Sequence, residues 1–313
     1  MSVRVVLGGP STTVQDLGRR GLQHDGVPEG GAMDTVAARI ANLLVGNEEN
    51  AALLESTLAG PALLFSGAAV VALGGGDFGA MLDGEPVAPW HAFPVRPGAT
   101  LALGNARSGC RAYIAIAGGI DVPVVLGSRS TCTPARFGGV EGRPLRAGDT
   151  LRVNETELPH LRRALATSLR PVHATTVRLI AGEHQPLLDE PSRAALFGDA
   201  LRVSSRSDRM GYRLSGATLR LREPVELLSA GVTSGTLQLP PGGEPILLMA
   251  DHQTTGGYPV LGHVASVDLG AVAQRRPGDP IRFAEISLDE AQRLYLERER
   301  SLDALRRALS FPA

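Results

Sequence analysis

The 313-residue chain is almost neutral, with 31 basic and 32 acidic side chains, and 43% of its residues are hydrophobic. This composition is typical of a soluble globular protein and gives no reason to expect a nucleic-acid or membrane partner. All 31 basic residues are Arg, because the sequence contains no Lys. Schiff-base enzymes, pyridoxal-phosphate enzymes and Walker-type phosphate loops all need a Lys amine, so these classes are excluded.

The cysteines and histidines do not form a recognisable metal or redox motif. Cys110 and Cys132 fit neither a CxxC pair nor a zinc-ligand spacing, and the seven His are scattered, so no metal is expected. Residues 1–14 show no charged-then-apolar leader, which predicts a cytoplasmic protein with reduced thiols. Burial explains Cys110 best, and Cys132 is only a minor candidate nucleophile.

Apolar residues at helical spacing predict a first helix over residues 33–44, after a short N-terminal strand. Asp34 at its start is interpreted as the N-cap, and the Gly-Asn pair at 46–47 as its end. Residues 51–153 carry short apolar runs cut by Gly, Pro and Asp, and an Asp-Gly hairpin turn is predicted at 83–84. The first part of the chain is therefore predicted to be mainly β.

Helical spacing over residues 158–169 predicts a connector helix, and a short helix is predicted at 190–197. Strand-like runs alternate with Gly- and Pro-rich turns as far as residue 283. A capping box at 287–290 starts a final amphipathic helix. The chain is thus predicted to be mainly β, with a few short helices and a C-terminal helix, in two parts, residues 1–165 and 166–313.

One local pattern occurs three times and predicts repeated corners of β-barrels. Its copies are RPGATL at 96–101, RAGDTL at 146–151 and RPGDPI at 276–281. Each copy places a tight turn before an alternating strand. The repeat is structural and does not indicate a chemistry.

A dense polar block follows the apolar run at 245–250 and is the first candidate for a functional site. Its members are Asp251, Gln253, Thr254, Gly256, Gly257 and Tyr258. The two glycines allow a ligand to approach backbone N–H groups closely, although a polar β-turn explains the same residues. His252 is the only His within a polar cluster, and it is interpreted either as an acid–base group or as a surface or cap residue.

A second polar block, residues 204–214, offers groups that bind anions. Arg206 and Arg209 are each suited to hold a carboxylate or phosphate through two parallel hydrogen bonds, with Asp208 between them. The alternative is an internal ion pair that fixes a loop. Because two polar blocks in one part of the chain suggest one site, the segments around Asp208 and Gln253 are predicted to meet on one concave wall.

Three further residues complete the candidate set. Gln238 ends a predicted strand beside the 245–251 strand, and its amide both donates and accepts, which suits a lactam or ureido group. Asp16 and Arg19 form a similar acid–Arg pair near the N-terminus. This pair has the same two interpretations, ligand binding or internal pairing.

Six motifs, spread over most of the chain, resemble those of one known family. They are VQDLGR at 14–19, GGAMD at 30–34, ANLLVGN at 41–47, GSRST at 127–131, SDRMGYRL at 207–214 and QTTGGYP at 253–259. Together they resemble the KipA family, whose members are also known as allophanate hydrolase subunit 2 or as the C subunit of 5-oxoprolinase. The resemblance implies two cyclophilin-like β-barrel subdomains and allows strand exchange between the halves.

The resemblance also implies a function, namely that of the C subunit in a bacterial 5-oxoprolinase complex. That complex hydrolyses 5-oxoproline to L-glutamate with ATP, and it would include a KipI-like B subunit and a LamB/YcsF-like A subunit. ATP and Mg²⁺ are then expected to be held mainly by the partner subunits, because this chain has no Lys and no phosphate loop. The isolated chain is expected to be weakly active or inactive.

Two alternatives stay open at this point. The same module forms half of the carboxyltransferase domain of urea carboxylase, which would make the chain a biotin-dependent carboxyltransferase half acting on urea or a related amide. The other is a non-enzymatic regulator that binds a KipI-like kinase inhibitor. A cyclophilin-like barrel by itself decides neither, because fold does not fix a site.

If the chain is a 5-oxoprolinase subunit, each candidate site residue can be given a hypothetical role. Asp251, Gln253, Thr254 and the N–H groups of Gly256 and Gly257 are expected to supply acid–base chemistry and an oxyanion pocket. Arg209, or alternatively Arg206, would anchor the substrate carboxylate. Tyr258 and Gln238 would orient the lactam ring.

Overall fold

The computed structural model describes residues 1–158, 163–172, 174–198 and 200–310. The chain divides into two compact units. Unit 1 contains Met1–Arg19, Gly30–Pro171 and Ser301–Ala313, and unit 2 contains Arg20–Glu29 and Val172–Arg300. The main division at 171/172 lies close to the predicted one at 165/166, while two short segments belong to the opposite unit.

Unit 1 is built from short antiparallel strands and one α-helix. They are β1 (Ser2–Leu7), β2 (Thr12–Gln15), α1 (Thr35–Leu44), β3 (Leu53–Thr57), β4 (Ala62–Phe65), β5 (Ala69–Asp77), β6 (Met81–Leu82), β7 (Glu85–Pro86), β8 (Ala92–Val95), β9 (Thr100–Ala102), β10 (Ser108–Ile116), β11 (Ile120–Asp121) and β12 (Thr150–Val153). They form a seven-stranded sheet of order β11-β12-β1-β4-β9-β6-β7 and a five-stranded sheet of order β2-β3-β10-β5-β8.

The main core of unit 1 contains apolar side chains of both sheets, such as Phe65 and Leu101 from the larger sheet and Ile114 from the smaller one. β10 is buried on both faces because its alternate residues, including Tyr113, pack with α1 in a second core. The N-cap prediction for α1 is confirmed, since the Asp34 carboxylate accepts a hydrogen bond from the Ala37 N–H at 3.0 Å.

Unit 2 contains a closed barrel and the remaining α-helices. Its elements are β13 (Thr176–Ala181), α2 (Glu190–Gly198), β14 (Leu201–Val203), β15 (Gly211–Ser215), β16 (Ala230–Gly231), β17 (Thr236–Gln238), β18 (Ile246–Leu248), β19 (Thr255–Gly256), β20 (Val260–Val264), α3 (Leu269–Ala273), β21 (Pro280–Ile286) and α4 (Leu288–Ser310), whose last turns belong to unit 1. The barrel order is β13-β20-β17-β18-β15-β14-β21, and a parallel β13–β21 pair closes it.

The mainly β class with a few helices is confirmed, and so are the short helix near 190 and the C-terminal helix. At the start of α4 the Ser287 hydroxyl accepts a hydrogen bond from the Glu290 N–H at 3.2 Å, as a capping box requires. None of the helices in the described ranges combines the length and the apolar composition needed to cross a membrane.

The predicted connector helix over 158–169 is wrong where the structure describes it, and residues 159–162 lie outside the described part. The backbone of this segment is hydrogen-bonded to another strand-like stretch. Leu165 N–H donates to the Trp90 carbonyl and Ala92 N–H donates to the Arg163 carbonyl, both at 2.9 Å. A 3₁₀ turn at Thr167–Leu169 follows. Inter-segment pairing and the burial of Leu165 therefore override the helical periodicity.

Candidate functional site

The wall of the barrel formed by β15, β18 and β17 has an inner and an outer face. Tyr212, Leu247 and Leu237 are cross-strand neighbours, all at most 2% exposed, and they fill the barrel interior. Successive side chains of a strand point to opposite faces. The neighbouring row, Arg213–Ile246–Gln238, therefore lies on the outer face of the same wall.

A cavity of about 340 Å³ lies against this outer row. The 204–214 segment contributes Arg206, Asp208 and Arg213 to its lining, and the later strands and loop contribute Gln238, Gln253 and Tyr258. The two polar blocks therefore meet on one concave wall, as the sequence predicts. The volume is at the lower end of the range for small-molecule sites.

Gln238 is the most informative residue of the cavity. Its side chain is 1% exposed, and its Nε2 has no hydrogen-bond partner among the described residues. Its Oε1 accepts a long hydrogen bond of 3.5 Å from Gln253 Nε2. A buried polar atom without a partner costs about 1–3 kcal/mol and needs an explanation, and at Gln238, which lines the cavity, a bound ligand or water supplies one.

Gly256 lies against the Gln238 carboxamide, so a side chain at residue 256 would displace that carboxamide. A Cβ built at residue 256 would lie 2.7 Å from Gln238 Nε2, which is closer than real Cβ contacts allow. Gly257 meets only looser contacts, the nearest being Ser229 Oγ at 3.3 Å. The first glycine of the pair is therefore explained by packing against the candidate site.

Arg209 and Asp251 are placed differently from the prediction. The Arg209 guanidinium donates two hydrogen bonds of 2.8 Å to the two Asp251 carboxylate oxygens, and the side chains are 12% and 1% exposed. Two charges bonded in this way neutralise each other and hold the 208–210 turn beside β18. This is the internal ion pair that the sequence offered as the alternative, and it favours a structural role over the predicted roles of Arg209 as carboxylate anchor and Asp251 as acid–base group.

His252 and Thr254 do not line this cavity. His252 is 2% exposed, and its Nδ1 donates to the Gln253 carbonyl oxygen at 2.5 Å. The Thr254 carbonyl accepts a hydrogen bond from the Val232 N–H at 3.0 Å, which extends the β16–β19 pair at one end. Neither side chain is part of the cavity lining, so they shape the loop that carries Gln253.

A second cavity, of about 350 Å³, lies next to the first on the outer face, and Tyr258 lines both. Gly256 and Gly257 line this second cavity together with His184 and His263. Burial lowers the pKa of His263, whose Nδ1 shares a hydrogen bond of 3.2 Å with the Thr236 hydroxyl. Neither histidine stands out in the sequence. His263 lies in the apolar strand β20, and His184 lies in a short turn outside the two polar blocks.

Asp16 and Arg19 belong to unit 1, where they form part of a buried polar network. The Asp16 carboxylate, 5% exposed, accepts from the hydroxyls of Ser128 and Ser130 and from the N–H groups of Gly18 and Arg129, at 2.5–2.8 Å. With four internal donors, this carboxylate is fully used within the protein.

Arg19 is 1% exposed and is bonded to main-chain carbonyls of the same loop. Its guanidinium also lies 4.6 Å from the centre of the Phe137 ring. Asp16 and Arg19 are thus both hydrogen-bonded inside unit 1 through the same loop, which favours a structural role for them over ligand binding. Cys132 lies in the same region and is 1% exposed, so it is not an accessible nucleophile. No group of His, Cys, Asp and Glu suited to a metal ion occurs within the described ranges.

Residues 25–285 match the family described as "Carboxyltransferase domain, subdomain A and B". The chain belongs to this family. It is 40% identical to the C subunit of 5-oxoprolinase from Haemophilus influenzae over 295 residues, 94% of each chain. It is 39% identical to the C subunit of 5-oxoprolinase from Escherichia coli over 303 residues, 97% of each chain. The resemblance stated from the motifs is therefore confirmed.

The fold is also similar to that of a solved, much larger enzyme. The urea amidolyase of K. lactis matches with a TM-score of 0.92 and 34% identity over 97% of this chain. The matched region is 20% of that enzyme, so this chain spans about a fifth of its length. Relatives of this chain are thus named as parts of two different kinds of enzyme.

Proposed function

We propose that the chain is the C subunit of a bacterial 5-oxoprolinase complex, which hydrolyses 5-oxoproline to L-glutamate with ATP. Two relatives that share about 40% of its residues over nearly the whole chain are named as this component. In this proposal the outer-face cavity binds the lactam.

The Gln238 carboxamide is the observation that carries the assignment of the cavity. A five-membered lactam holds its N–H and C=O on the same side, and a Gln side chain presents a matching acceptor and donor. The two groups therefore form two parallel hydrogen bonds, one of which uses the Nε2 that has no partner among the described residues. Gln253 and Tyr258, both exposed in the cavity, add a second amide and a hydroxyl that orient the ring.

The remaining chemistry is assigned to the complex. A KipI-like B subunit and a LamB/YcsF-like A subunit complete the enzyme in this proposal. ATP, with Mg²⁺, is a co-substrate that the partners mainly hold, because this chain has no Lys and no Walker-type phosphate loop. The isolated chain, which we place in the cytoplasm, then has little activity of its own.

The second candidate is a biotin-dependent carboxyltransferase half that acts on urea or a related amide. The similarity to K. lactis urea amidolyase favours it. The carboxamides of Gln238 and Gln253 also fit the ureido ring of biotin, which carries the carboxyl group when it is bound. Both candidates use the same cavity, so a substrate test separates them.

The deciding experiment is co-expression of the chain with its neighbouring subunits, followed by assays with 5-oxoproline and with urea. The proposal predicts ADP and glutamate formation that depends on 5-oxoproline. Stimulation by urea, with bicarbonate and a biotinylated carrier present, would favour the second candidate. The Gln253→Ala variant should lose most 5-oxoproline turnover, and an unchanged kcat/KM would remove Gln253 from the site.

A further inference from the structure

Three arginines of the 204–214 segment lie near the cavity, and two of them are engaged by acidic partners. Arg209 holds Asp251 in the buried pair described above. Arg206 donates to the Glu244 carboxylate at 2.7 Å, in a pair whose side chains are 65% and 44% exposed. Each of these two guanidinium groups is already paired with a carboxylate.

Arg213 differs from both because its backbone is fixed and its side chain is uncommitted. β15 pairs Arg213 with Ile246, and the Ser207 hydroxyl accepts a hydrogen bond from the Arg213 N–H at 3.1 Å. The guanidinium is exposed and lines the cavity, and among the described residues it has no acidic partner. Of the three arginines it is therefore the one without an acidic partner in the described part of the chain.

The position of Arg213 relative to Gln238 is set by strand register. Ile246 is the direct cross-strand neighbour of both residues. Because adjacent strands lie about 4.8 Å apart, their Cα atoms are roughly 10 Å apart across the row. A small ring that binds Gln238 through its amide therefore presents substituents within reach of the long Arg213 side chain.

The acidic residue of the lining, Asp208, makes a nearby cation important for an anionic ligand. Its Oδ1 accepts from the N–H groups of Met210 and Gly211 at 2.8 and 3.2 Å, which fixes the turn. Its negative charge lies at the cavity and disfavours a carboxylate. An anionic substrate in this cavity therefore needs a cation beside it, and Arg213 supplies one.

We propose that Arg213 binds the carboxylate of the substrate and so selects a carboxylate-bearing lactam over uncharged amides such as urea. This inference rests on the proposed function, and it assigns to Arg213 the role that the sequence alone assigned to Arg209 or Arg206. Guanidinium groups bind carboxylates in a fork of two hydrogen bonds, which gives orientation as well as affinity.

The test compares Arg213→Gln with Arg213→Lys and with the control Arg282→Gln in the co-expressed complex. Arg282 is an exposed arginine on β21, outside the lining of the cavity. The probes are 5-oxoproline as substrate and 2-pyrrolidinone, the same ring without the carboxylate, as competitive inhibitor. Loss of a hydrogen-bonded charge contact should raise the KM for 5-oxoproline roughly 10- to 100-fold in Arg213→Gln.

The expected pattern distinguishes a loss of carboxylate binding from a loss of catalytic rate and from a loss of folded structure. The kcat should change by less than about threefold, Arg213→Lys should recover part of the KM, and Arg282→Gln should behave as the unchanged protein. The inhibition constant of 2-pyrrolidinone should be the same in all four proteins. An unchanged KM in Arg213→Gln, or an inhibition constant that rises as much as the KM, overturns the inference.

A direct binding measurement distinguishes failure of this inference from failure of the proposed function. If the unchanged complex does not turn over 5-oxoproline, the proposed function fails, and the Kd of each probe is then measured on the full chain by calorimetry. Tighter binding of 5-oxoproline than of 2-pyrrolidinone that is lost in Arg213→Gln would leave the carboxylate anchor standing. Equal or absent binding of the two probes would overturn the anchor as well.

Discussion

Each of the two units carries a polar cluster on a β framework. In unit 1 it is the Asp16 cluster, which consists of Asp16, Arg19, Ser128 and Ser130. In unit 2 it is the Gln238 wall, which consists of Arg213, Gln238, Gln253 and Tyr258. In the first, the carboxylate is surrounded by four donors and every member is at most 5% exposed. In the second, a buried amide nitrogen has no partner among the described residues and lines a cavity.

The difference shows that the hydrogen bonds a buried group already makes, rather than its residue type, indicate whether it is available to a ligand. The Asp16 carboxylate has four donors inside the protein, whereas a ligand that accepts from Gln238 Nε2 gains a hydrogen bond that the described residues do not supply. The Arg209–Asp251 pair makes the same point inside unit 2, because it lies next to the cavity yet is completely used. The following predictions test this contrast in order of expected effect.

The largest effect is expected from Asp16→Ala. It leaves four donors without their acceptor, at about 1–3 kcal/mol each, so the free energy of unfolding should fall by about 4 kcal/mol or more. Urea unfolding followed by circular dichroism measures it. Asp208→Ala is the matched control, and since that carboxylate is exposed, its loss should cost about 1 kcal/mol or less. Equal costs would refute the contrast.

Arg209→Met should destabilise unit 2 by about 3 kcal/mol, because it leaves the Asp251 charge buried without its partner. The double variant Arg209→Met/Asp251→Leu should recover most of that loss, since the buried charge is removed as well. A double-mutant cycle of urea midpoints measures the coupling. If Arg209→Met kept its stability but lost turnover, Arg209 would be assigned to the binding site rather than to the fold.

Gln238→Leu should do the opposite, changing function far more than stability. Leu is of similar size and removes a buried amide with an unpartnered nitrogen, so the free energy of unfolding should stay within about 1 kcal/mol of the unchanged value. Turnover of 5-oxoproline in the complex should fall by roughly 100-fold or more, the equivalent of two lost hydrogen bonds. Gly256→Ala should impair turnover less, by displacing the same amide. A large loss of stability in Gln238→Leu would show that the amide is structural.

The smallest effect concerns pH. Burial lowers the pKa of His263 below its usual value of about 6.5, so the unfolded chain binds the proton more strongly than the folded one. This contribution to stability is present above pH 6.5 and is lost as the pH falls through that value toward the folded pKa. The imidazole is only half-buried, so the loss should be a few tenths of a kcal/mol.

His263→Gln should flatten that pH dependence between pH 7.5 and 5. The unchanged chain, measured in the same buffers, is the reference. Urea midpoints at several pH values provide the measurement. An identical slope in His263→Gln and the unchanged chain would show that burial of this imidazole does not affect stability.

Local chemistry in the sequence was enough to predict much of the framework. The three Arg-x-Gly turns occur where predicted, with positive φ at Gly98, Gly148 and Gly278, and each precedes a strand. Glycine adopts a positive φ without a steric penalty, so a few adjacent residues are enough to predict such a turn. The Asp34 cap was predictable for the same reason, because donor and acceptor are three residues apart.

The candidate site was only half predictable. The meeting of the 204–214 and 249–260 segments followed from their polarity, but the roles of the arginines did not. Arg209 and Arg206 find their partners 42 and 38 residues away, and nothing local to the 204–214 segment distinguishes them from Arg213. The choice depends on which acidic side chain the barrel places opposite each guanidinium.

The sequence by itself determined the family, the mainly β class, the capped helices, the tight turns and the segments that carry the polar groups. These properties depend on periodicity, propensity and contacts between near neighbours in the chain. Only the tertiary structure decided that the cavity lies on the outer face of the barrel wall and that Gln238 and Arg213 share one row. The reason is strand register, since a shift of one residue would exchange the inner and outer faces and hide both side chains.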